Sequence, residues 1–301
     1  KMYRGISTFF ALLVALVAAS AQTPSAQNLP AQNSSAQTPS DSRLKSIVDK
    51  KTIRIAYRTD AAPFAFANDR GEPSGFSLDL CQMVAKSIAQ QVGLQELKIE
   101  WVPVTVQTRF TAITDGNADI ECGSSTVTLG RMKQVDFSNY IFVESTGLVV
   151  SRASKAHVFA DMAGKKIAVI AGTTNERAVN EQNSAHGLNL TVVAVKSRDE
   201  GIAALQAGKV DGYASDKLLL VGAQIKDADA FVMLPDDLSV EPYAIVMPRG
   251  DWALRLAVNT GLAQIFRSGQ IVGVFKKWFS EIDLRPGILL GSAYTLGGLS
   301  D

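Results

Sequence analysis

Apolar residues fall into two kinds of run along this chain, one typical of buried strands and the other of helices with a buried face. Short apolar runs predict strands, and apolar residues at helical spacing predict helices between them. The predicted strands span residues 52–57, 99–104 and 165–170, and the predicted helices span residues 76–90, 108–115 and 174–182. This alternation favours α/β layers with parallel strands.

A loose repeat relates two parts of the chain. Each copy has an apolar helix end, a glycine that suits a left-handed helix stop, and an aspartate before a short strand. The repeated positions are Ile113, Gly116 and Asp119, then Leu205, Gly208 and Asp211. Five residues beyond the aspartates lie Ser124 and Asp216. Because ligands of open α/β sheets bind beyond the carboxyl ends of strands, two such units predict two lobes that face one cleft.

The first 21 residues have the pattern of a secretory signal peptide. Arg4 lies in a short basic start, residues 9–18 are apolar without interruption, and Ala19-Ser20-Ala21 provides small residues for cleavage. The apolar run is shorter than the roughly 20 residues of a membrane span. We therefore predict cleavage after Ala21 and export to the periplasm, with a retained N-terminal anchor as the alternative.

The following residues, 22–42, are polar or small almost throughout and predict a disordered linker. The folded part is expected to start near Arg43 and is long enough for two lobes with their own cores. Removing Lys1 and Arg4 with the leader changes the formal net charge from +1 to −1. The remaining chain has no basic patch that would indicate binding to nucleic acid. We expect the protein to be a monomer.

Cys81 and Cys122 are the only cysteines. Export permits a disulfide between them. Closing this loop would stabilise the fold by about 4 kcal/mol in the chain-entropy model. Two buried free thiols are the alternative, because the sequence does not give the distance between them.

Four segments resemble the polar-amino-acid family (family 3) of periplasmic solute-binding proteins. They are Gly75-Phe76-Ser77-Leu78-Asp79-Leu80, Ile120-Glu121-Cys122-Gly123-Ser124-Ser125-Thr126 with Arg131 shortly after, Ala171-Gly172-Thr173-Thr174-Asn175-Glu176, and Lys277-Trp278-Phe279. The second and third resemble the ligand loops of the glutamate/aspartate-binding branch, whereas Ser77 departs from an acidic residue that is usual in the family.

The resemblance implies a two-lobed α/β fold of the type II binding-protein class, with two mixed sheets and a ligand cleft between the lobes. It places residues 43–144 and 245–285 in lobe 1, residues 145–244 in lobe 2 and residues 286–301 in a C-terminal tail. It implies hinge closure on the ligand, no cofactor and no metal, and a membrane permease of an ABC importer as partner.

The resemblance also implies how the α-carboxylate of an amino acid is held. Arg131 offers a planar guanidinium that matches a carboxylate, and Ser124 and Thr126 add hydrogen bonds. Thr173 reaches the same carboxylate from the other lobe, where a helix N-terminus favours an anion. Thr173 as a plain helix N-cap is the alternative, and the two roles are compatible.

Asp216 is implied to accept the ammonium group of the ligand; the alternative is the N-cap of the apolar segment that follows. Arg58 and Arg109 are implied to grip a side-chain carboxylate. Arg198 stands where relatives have a histidine, and Val106 stands where they have a serine.

Charge balance favours glutamate or aspartate over glutamine. Arg131 and Asp216 match the two charges of any amino acid, so that Arg58 and Arg109 would remain buried without partners, at a cost of several kcal/mol. A binding protein for glutamine or another polar amino acid is the alternative. Phe64 and Phe66 are candidates for an apolar wall beside the ligand or for the core.

An enzyme resembling periplasmic cyclohexadienyl dehydratases is a further alternative. It needs a carboxylic acid in the cleft, for which Glu176 is the candidate. A first-turn glutamate that stabilises its helix is the preferred interpretation. His157 and His186 fall in segments predicted to be exposed loops, without metal spacing or a nucleophile beside them.

Overall fold

A computed structural model describes residues 42–222 and 228–300 of the 301-residue chain. The predicted signal peptide and most of the predicted linker lie outside the described residues. Ser42, the last residue of that linker, is instead the N-cap of the first helix, because its hydroxyl accepts from the Leu44 amide and donates to Asp251. Among the helices of these two ranges, none is long and apolar enough to cross a membrane.

Helices and strands alternate along the described ranges, as the pattern predicts. The helices are α1 (Arg43–Lys50), α2 (Phe76–Gln91), α3 (Arg109–Thr114), α4 (Thr174–His186), α5 (Arg198–Gln206), α6 (Lys217–Val221), α7 (Trp252–Arg267), α8 (Gln270–Phe279) and α9 (Ile288–Gly297). The strands are β1 (Thr52–Arg58), β2 (Asp60–Ala61), β3 (Ala65–Ala67), β4 (Pro73–Ser74), β5 (Lys98–Val104), β6 (Ile120–Glu121), β7 (Val135–Glu144), β8 (Thr146–Ser151), β9 (Lys166–Ile170), β10 (Thr191–Val195), β11 (Gly212–Asp216), β12 (Phe231–Met233) and β13 (Glu241–Pro248).

Two five-stranded sheets share one strand arrangement. The first has the order β5-β1-β6-β13-β7 and the second β10-β9-β11-β8-β12, and β2, β3 and β4 form a small third sheet. In each large sheet the first three strands and the fifth run in one direction, and the fourth strand is antiparallel to both of its neighbours. The predicted α/β class with two lobes and mixed sheets is confirmed.

The loose repeat has the same structural role in both sheets. The side chain of Asp119 accepts the Arg54 amide at 2.7 Å, and the side chain of Asp211 accepts the Lys166 amide at 2.8 Å. Each aspartate therefore ties the loop after a helix to a neighbouring parallel strand. The chain then runs on to the carboxyl end of a central strand in each sheet.

Two antiparallel connections join the large sheets. β7 ends at Glu144 and β8 begins at Thr146, and the returning β13 starts at Glu241, opposite Glu144. The amide of Leu238 donates to the Thr146 carbonyl at 2.9 Å, so that the return path runs beside β8. We call these two connections the hinge. The predicted lobe boundaries remain a proposal, which this pairing supports.

The structure joins Cys81 of α2 to Cys122 in a disulfide. Both residues are fully buried. Cys122 directly follows β6 and precedes Gly123 and Ser124, so that the bridge fixes the loop at the carboxyl end of this strand to the main helix of the first lobe.

Apolar side chains cross between the lobes in both directions. Val106, just after β5 of the first sheet, packs into a core cluster of the second sheet. Leu218 and Leu219 of α6 pack into the main core of the first. The predicted C-terminal tail contains α9, which lies on the first lobe, where the Tyr294 hydroxyl donates to the Ile141 carbonyl.

Candidate functional site

Buried polar side chains gather where central strands of the two sheets end. In the first lobe, Arg58 is the last residue of β1, and its Nη1 approaches Ser124 Oγ at 3.5 Å. Nη1 of Arg109, the first residue of α3, lies 3.4 Å from the Ser124 carbonyl oxygen. The structure thus brings together three of the predicted ligand-binding residues, although Ser124 was predicted to act beside Arg131.

Arg58 already has a partner that sequence reasoning missed. Its Nε donates to Asp60 at 2.9 Å, and only 5% of the Arg58 side chain is exposed. Nη2 of Arg58 has no hydrogen-bond partner among the described residues. The expectation that Arg58 would be buried without a counter-ion is therefore wrong, because a carboxylate two residues along the chain provides one.

Arg109 and Arg131 share an aromatic neighbour. Their guanidinium carbons lie 4.9 Å and 5.1 Å from the ring centroid of Phe110. Nη1 of Arg131 donates to the Thr126 carbonyl at 2.8 Å. The ring attracts both cations and places them on one side of the cleft.

Arg109 is the cation whose charge is least compensated. Burial, together with the charge of Arg131, lowers its pKa to about 9. Within the described parts of the chain Arg109 forms no ion pair, and its Nε has no hydrogen-bond partner. Glu121, fully buried nearby, counteracts this only in part, since burial raises the pKa of its own carboxyl group. An anion beside Arg109 would compensate the charge of its guanidinium group.

In the second lobe, Asp216 ends β11 and is held by two side chains. Asn175 donates to Oδ1 at 2.7 Å, and the Tyr243 hydroxyl donates to Oδ2. Burial, helped by the charge of Glu241, raises the pKa of Asp216 to about 6. Asp216 makes no side-chain cap to α6, so the role of N-cap is not what orients it.

Glu241 connects the two lobes at the hinge. Thr126 of the first lobe and Thr174 of the second each donate to Oε2 at 2.6 Å. Ser239 and Thr146 donate to Oε1 at 2.6 Å and 3.3 Å. Four hydroxyl donors thus satisfy this buried carboxylate, and they carry the hydrogen-bond network from Arg131 through Thr126 to the second lobe.

Thr173 and Glu176 are engaged at the start of α4. The Thr173 hydroxyl donates to the Ile170 carbonyl at 2.7 Å and accepts the Glu176 amide at 3.1 Å. The Glu176 carboxylate accepts the Gly172 amide at 2.8 Å. The predicted N-cap and first-turn glutamate are confirmed. The neighbouring Thr174, missed from the sequence, is the threonine whose hydroxyl joins the network.

Arg198 lies apart from this network. It begins α5 and lines an interlobe cavity of about 500 Å³ together with Phe66. Its Nε and Nη1 are buried without partners in the described ranges, and burial lowers its pKa, partly offset by the charge of Asp60. Phe64, by contrast, is fully buried among aromatic rings and belongs to the core.

Neither histidine takes part in this site. His157 is exposed in a loop, as predicted. His186 is also exposed but ends α4, where Nε2 contacts Gln182, so the prediction of a loop there is wrong. The helical spacing in α4 continues four residues beyond the predicted end.

Glu144 at the hinge provides a prediction on stability. Burial, helped by the charge of Asp216, raises the pKa of Glu144 to about 8, and its Oε1 accepts the Leu218 amide at 2.7 Å. The folded state therefore binds this proton more tightly than the unfolded state. Its contribution to stability is complete below the ordinary pKa, near 4.5, and is lost as the pH rises towards 8.

Glu144→Gln keeps an acceptor for Leu218 and removes the charge. We expect the variant to gain stability over the wild type between pH 5 and pH 8, by more than about 1 kcal/mol, since one pKa unit corresponds to about 1.4 kcal/mol. Urea unfolding of the ligand-free protein at both pH values measures this. The exposed Glu100→Gln is the control, and a difference independent of pH would contradict the prediction.

Two lobes of the same topology, connected at a hinge and facing each other with buried charged groups, define a bilobal solute-binding protein. The chain belongs to family 3 of the bacterial extracellular solute-binding proteins, whose profile matches residues 53–281. The predicted family resemblance is confirmed.

Two relatives bind different ligands according to their names. An L-glutamate/L-aspartate-binding protein of Pseudomonas aeruginosa is 32% identical over 241 residues, covering 79% of this chain and 80% of the relative. An ABC transporter glutamine-binding protein of Bacillus subtilis is 28% identical, covering 79% of this chain and 85% of the relative. The crystal structure of an ancestral amino acid-binding protein, a precursor of cyclohexadienyl dehydratase, matches with a TM-score of 0.68 and 28% identity, covering 79% of this chain and 99% of that chain.

Proposed function

We propose that this protein binds glutamate or aspartate between its lobes and delivers it to the membrane permease of an ABC importer. The observation that carries the proposal is Arg109, a buried guanidinium without a carboxylate partner in the described ranges. A side-chain carboxylate of the ligand would supply that partner. The glutamate/aspartate-binding relative from Pseudomonas aeruginosa supports this choice.

The remaining groups match the charges that every amino acid carries. Arg131, with Ser124 and Thr126 beside it, would hold the α-carboxylate. Asp216 would accept the ammonium group, since each of its oxygens accepts one described hydrogen bond and has a second lone pair. An ammonium group nearby would also favour the charged form of this carboxylate. Because these groups belong to both lobes, the ligand would favour closure at the hinge.

Glutamine is the second candidate. The ion pair between Arg58 and Asp60 removes one of the two free cations on which the preference for an acidic ligand depends. Among the described residues, a neutral side chain would then leave the charges of Arg109 and Arg198 without full compensation. The glutamine-binding relative from Bacillus subtilis agrees with this alternative.

We propose binding rather than catalysis at this site. Glu176, the candidate general acid, accepts a backbone amide of its own loop, which ties its carboxylate to the helix start. We further propose that the protein acts as a monomer in the periplasm after removal of the signal peptide. The disulfide between Cys81 and Cys122 fits an oxidising compartment.

Calorimetric titration of ligand-stripped protein with the common amino acids tests the proposal. Glutamate and aspartate are expected to bind at least about tenfold more tightly than glutamine, because a neutral side chain leaves the buried Arg109 uncompensated. If glutamine binds as tightly as glutamate and aspartate, the preference for an acidic ligand is refuted and glutamine becomes the better candidate. Absence of heat with every amino acid would refute an amino-acid site.

A further inference from the structure

Tyr213 of β11 has a buried hydroxyl group without a well-formed hydrogen bond. The residue is fully buried, and its hydroxyl lies close to the Ser215 side chain but makes no hydrogen bond of normal geometry with any residue in the ranges 42–222 and 228–300. Folded proteins pair most buried polar groups, because an unpaired one keeps the cost of losing water. A phenylalanine at this position would avoid the cost, so the presence of a tyrosine indicates that its hydroxyl has a partner when a ligand is bound.

Gly201 fixes where the Tyr213 ring lies. A Cβ atom at Gly201 would be 2.3 Å from Cε2 of the ring, so only glycine allows the ring to pack this closely against α5. Arg198 begins the same helix. The charges of Arg58, Arg198 and Asp60 all act on the phenol, so these three side chains lie in its neighbourhood.

Two of these residues also carry buried atoms without partners. They are Nη2 of Arg58 and both Nε and Nη1 of Arg198. With the Tyr213 hydroxyl, these are groups that can donate a hydrogen. Asp60 is the nearby acceptor, and its Oδ1 accepts Nε of Arg58. Unpaired donors on neighbouring residues fit a group that only accepts hydrogen bonds and carries negative charge, which is a carboxylate.

We propose that Tyr213 is a specificity-determining residue of the amino-acid site, donating its hydroxyl hydrogen to the side-chain carboxylate of the ligand beside Arg58 and Arg198. Asp60 acts as a positioning residue, since its ion pair keeps the free Nη2 of Arg58 directed at the same group. This inference rests on the proposed function. Because Tyr213 belongs to the second sheet and Arg58 to the first, this subsite binds the side-chain carboxylate only when the two lobes have closed around the ligand.

Tyr213→Phe tests the role of the hydroxyl. The variant keeps the ring against Gly201 and removes one oxygen. We expect the affinity for the preferred acidic amino acid to fall about tenfold or more, the size of one hydrogen bond to a charged group. The affinity for glutamine is expected to fall by less than about threefold, because its side chain carries no charge for the hydroxyl to meet. Calorimetric titration measures both affinities.

Thermal unfolding of the ligand-free variant separates this role from a structural one. Loss of an unpaired buried hydroxyl should leave the Tm unchanged or raise it, whereas loss of a structural hydrogen bond would lower it. Tyr294→Phe is the matched control. Its hydroxyl donates to the Ile141 carbonyl at 3.1 Å, outside the site, so this variant should lower the Tm and leave the affinity unchanged.

The outcomes distinguish the inference from the proposed function. If wild-type protein does not prefer an acidic amino acid, the proposed function is refuted, and with it the hydrogen bond from Tyr213 to a ligand side-chain carboxylate. If the wild type prefers an acidic amino acid and Tyr213→Phe binds it with unchanged affinity, the role of Tyr213 alone is refuted. An equal loss for glutamate and glutamine would also refute it, since the hydroxyl would then not discriminate between side chains.

Discussion

Replacing either Arg131 or Asp216 by alanine is expected to weaken ligand binding by about 2–5 kcal/mol, or roughly 30- to 5,000-fold in Kd. Each variant removes one member of a charge pair that forms in a closed cleft and leaves the other charge buried. The structure raises the expectation for Asp216, because Asn175 and Tyr243 hold its two oxygens in place.

Calorimetric titration of the ligand found with the wild type measures both losses. Exposed residues outside the cleft provide matched controls: Arg285→Ala, where 86% of the side chain is exposed, and Asp49→Ala, where 59% is exposed. Both controls should bind as the wild type does. Near-normal affinity in Arg131→Ala or Asp216→Ala would mean that the amino-acid head group is held elsewhere.

Arg109→Met is expected to change which ligand is preferred. Methionine can keep the apolar contact with Phe110 while the charge is removed. The affinity for glutamate and aspartate should fall by about 2–5 kcal/mol, because the side-chain carboxylate loses its main partner. Glutamine should lose much less, and its affinity should rise if the buried cation opposes it in the wild type, since burial lowers the pKa of Arg109 to about 9 and so disfavours the charged form.

The effect is a difference between two affinities, so that one ligand alone cannot reveal it. Competition of glutamine against labelled glutamate, in wild type and Arg109→Met, measures it directly. Arg285→Met controls for loss of a charge at the surface. Parallel losses for both ligands would show that Arg109 holds the common head group and not the side chain.

The ends of helices and strands were predictable where the residues that determine them lie next to them in the sequence. The glycine stop at Gly116 has a left-handed φ of 74°, and the aspartate that follows it ties a strand. Asp119 and Asp211 could be found because they recur at matching positions of two units. Helix and strand ends that depend on such local chemistry agree with the sequence to within a few residues.

The contacts of the site were less predictable because they join distant parts of the chain. Glu241 lies 115 residues from Thr126, to which it is bound, and no local pattern links the two. Asp60 is the opposite case: it lies two residues from Arg58, but the two residues belong to different strands, so the period of a single strand does not predict that their side chains meet. The structure brings them together because β1 ends at Arg58 and the chain turns into β2.

The position of β13 determines in which order the two sheets can be completed as the chain emerges from its N-terminal end. The strands of the second sheet occur without interruption between Thr146 and Met233, so all of them leave the ribosome before β13. In the first sheet β13 lies between β6 and β7, which do not pair with each other. Until β13 has been made, β7 has no neighbour in its sheet. The half of the molecule that begins first is therefore finished last, and its unpaired edges must be kept from other chains in the meantime.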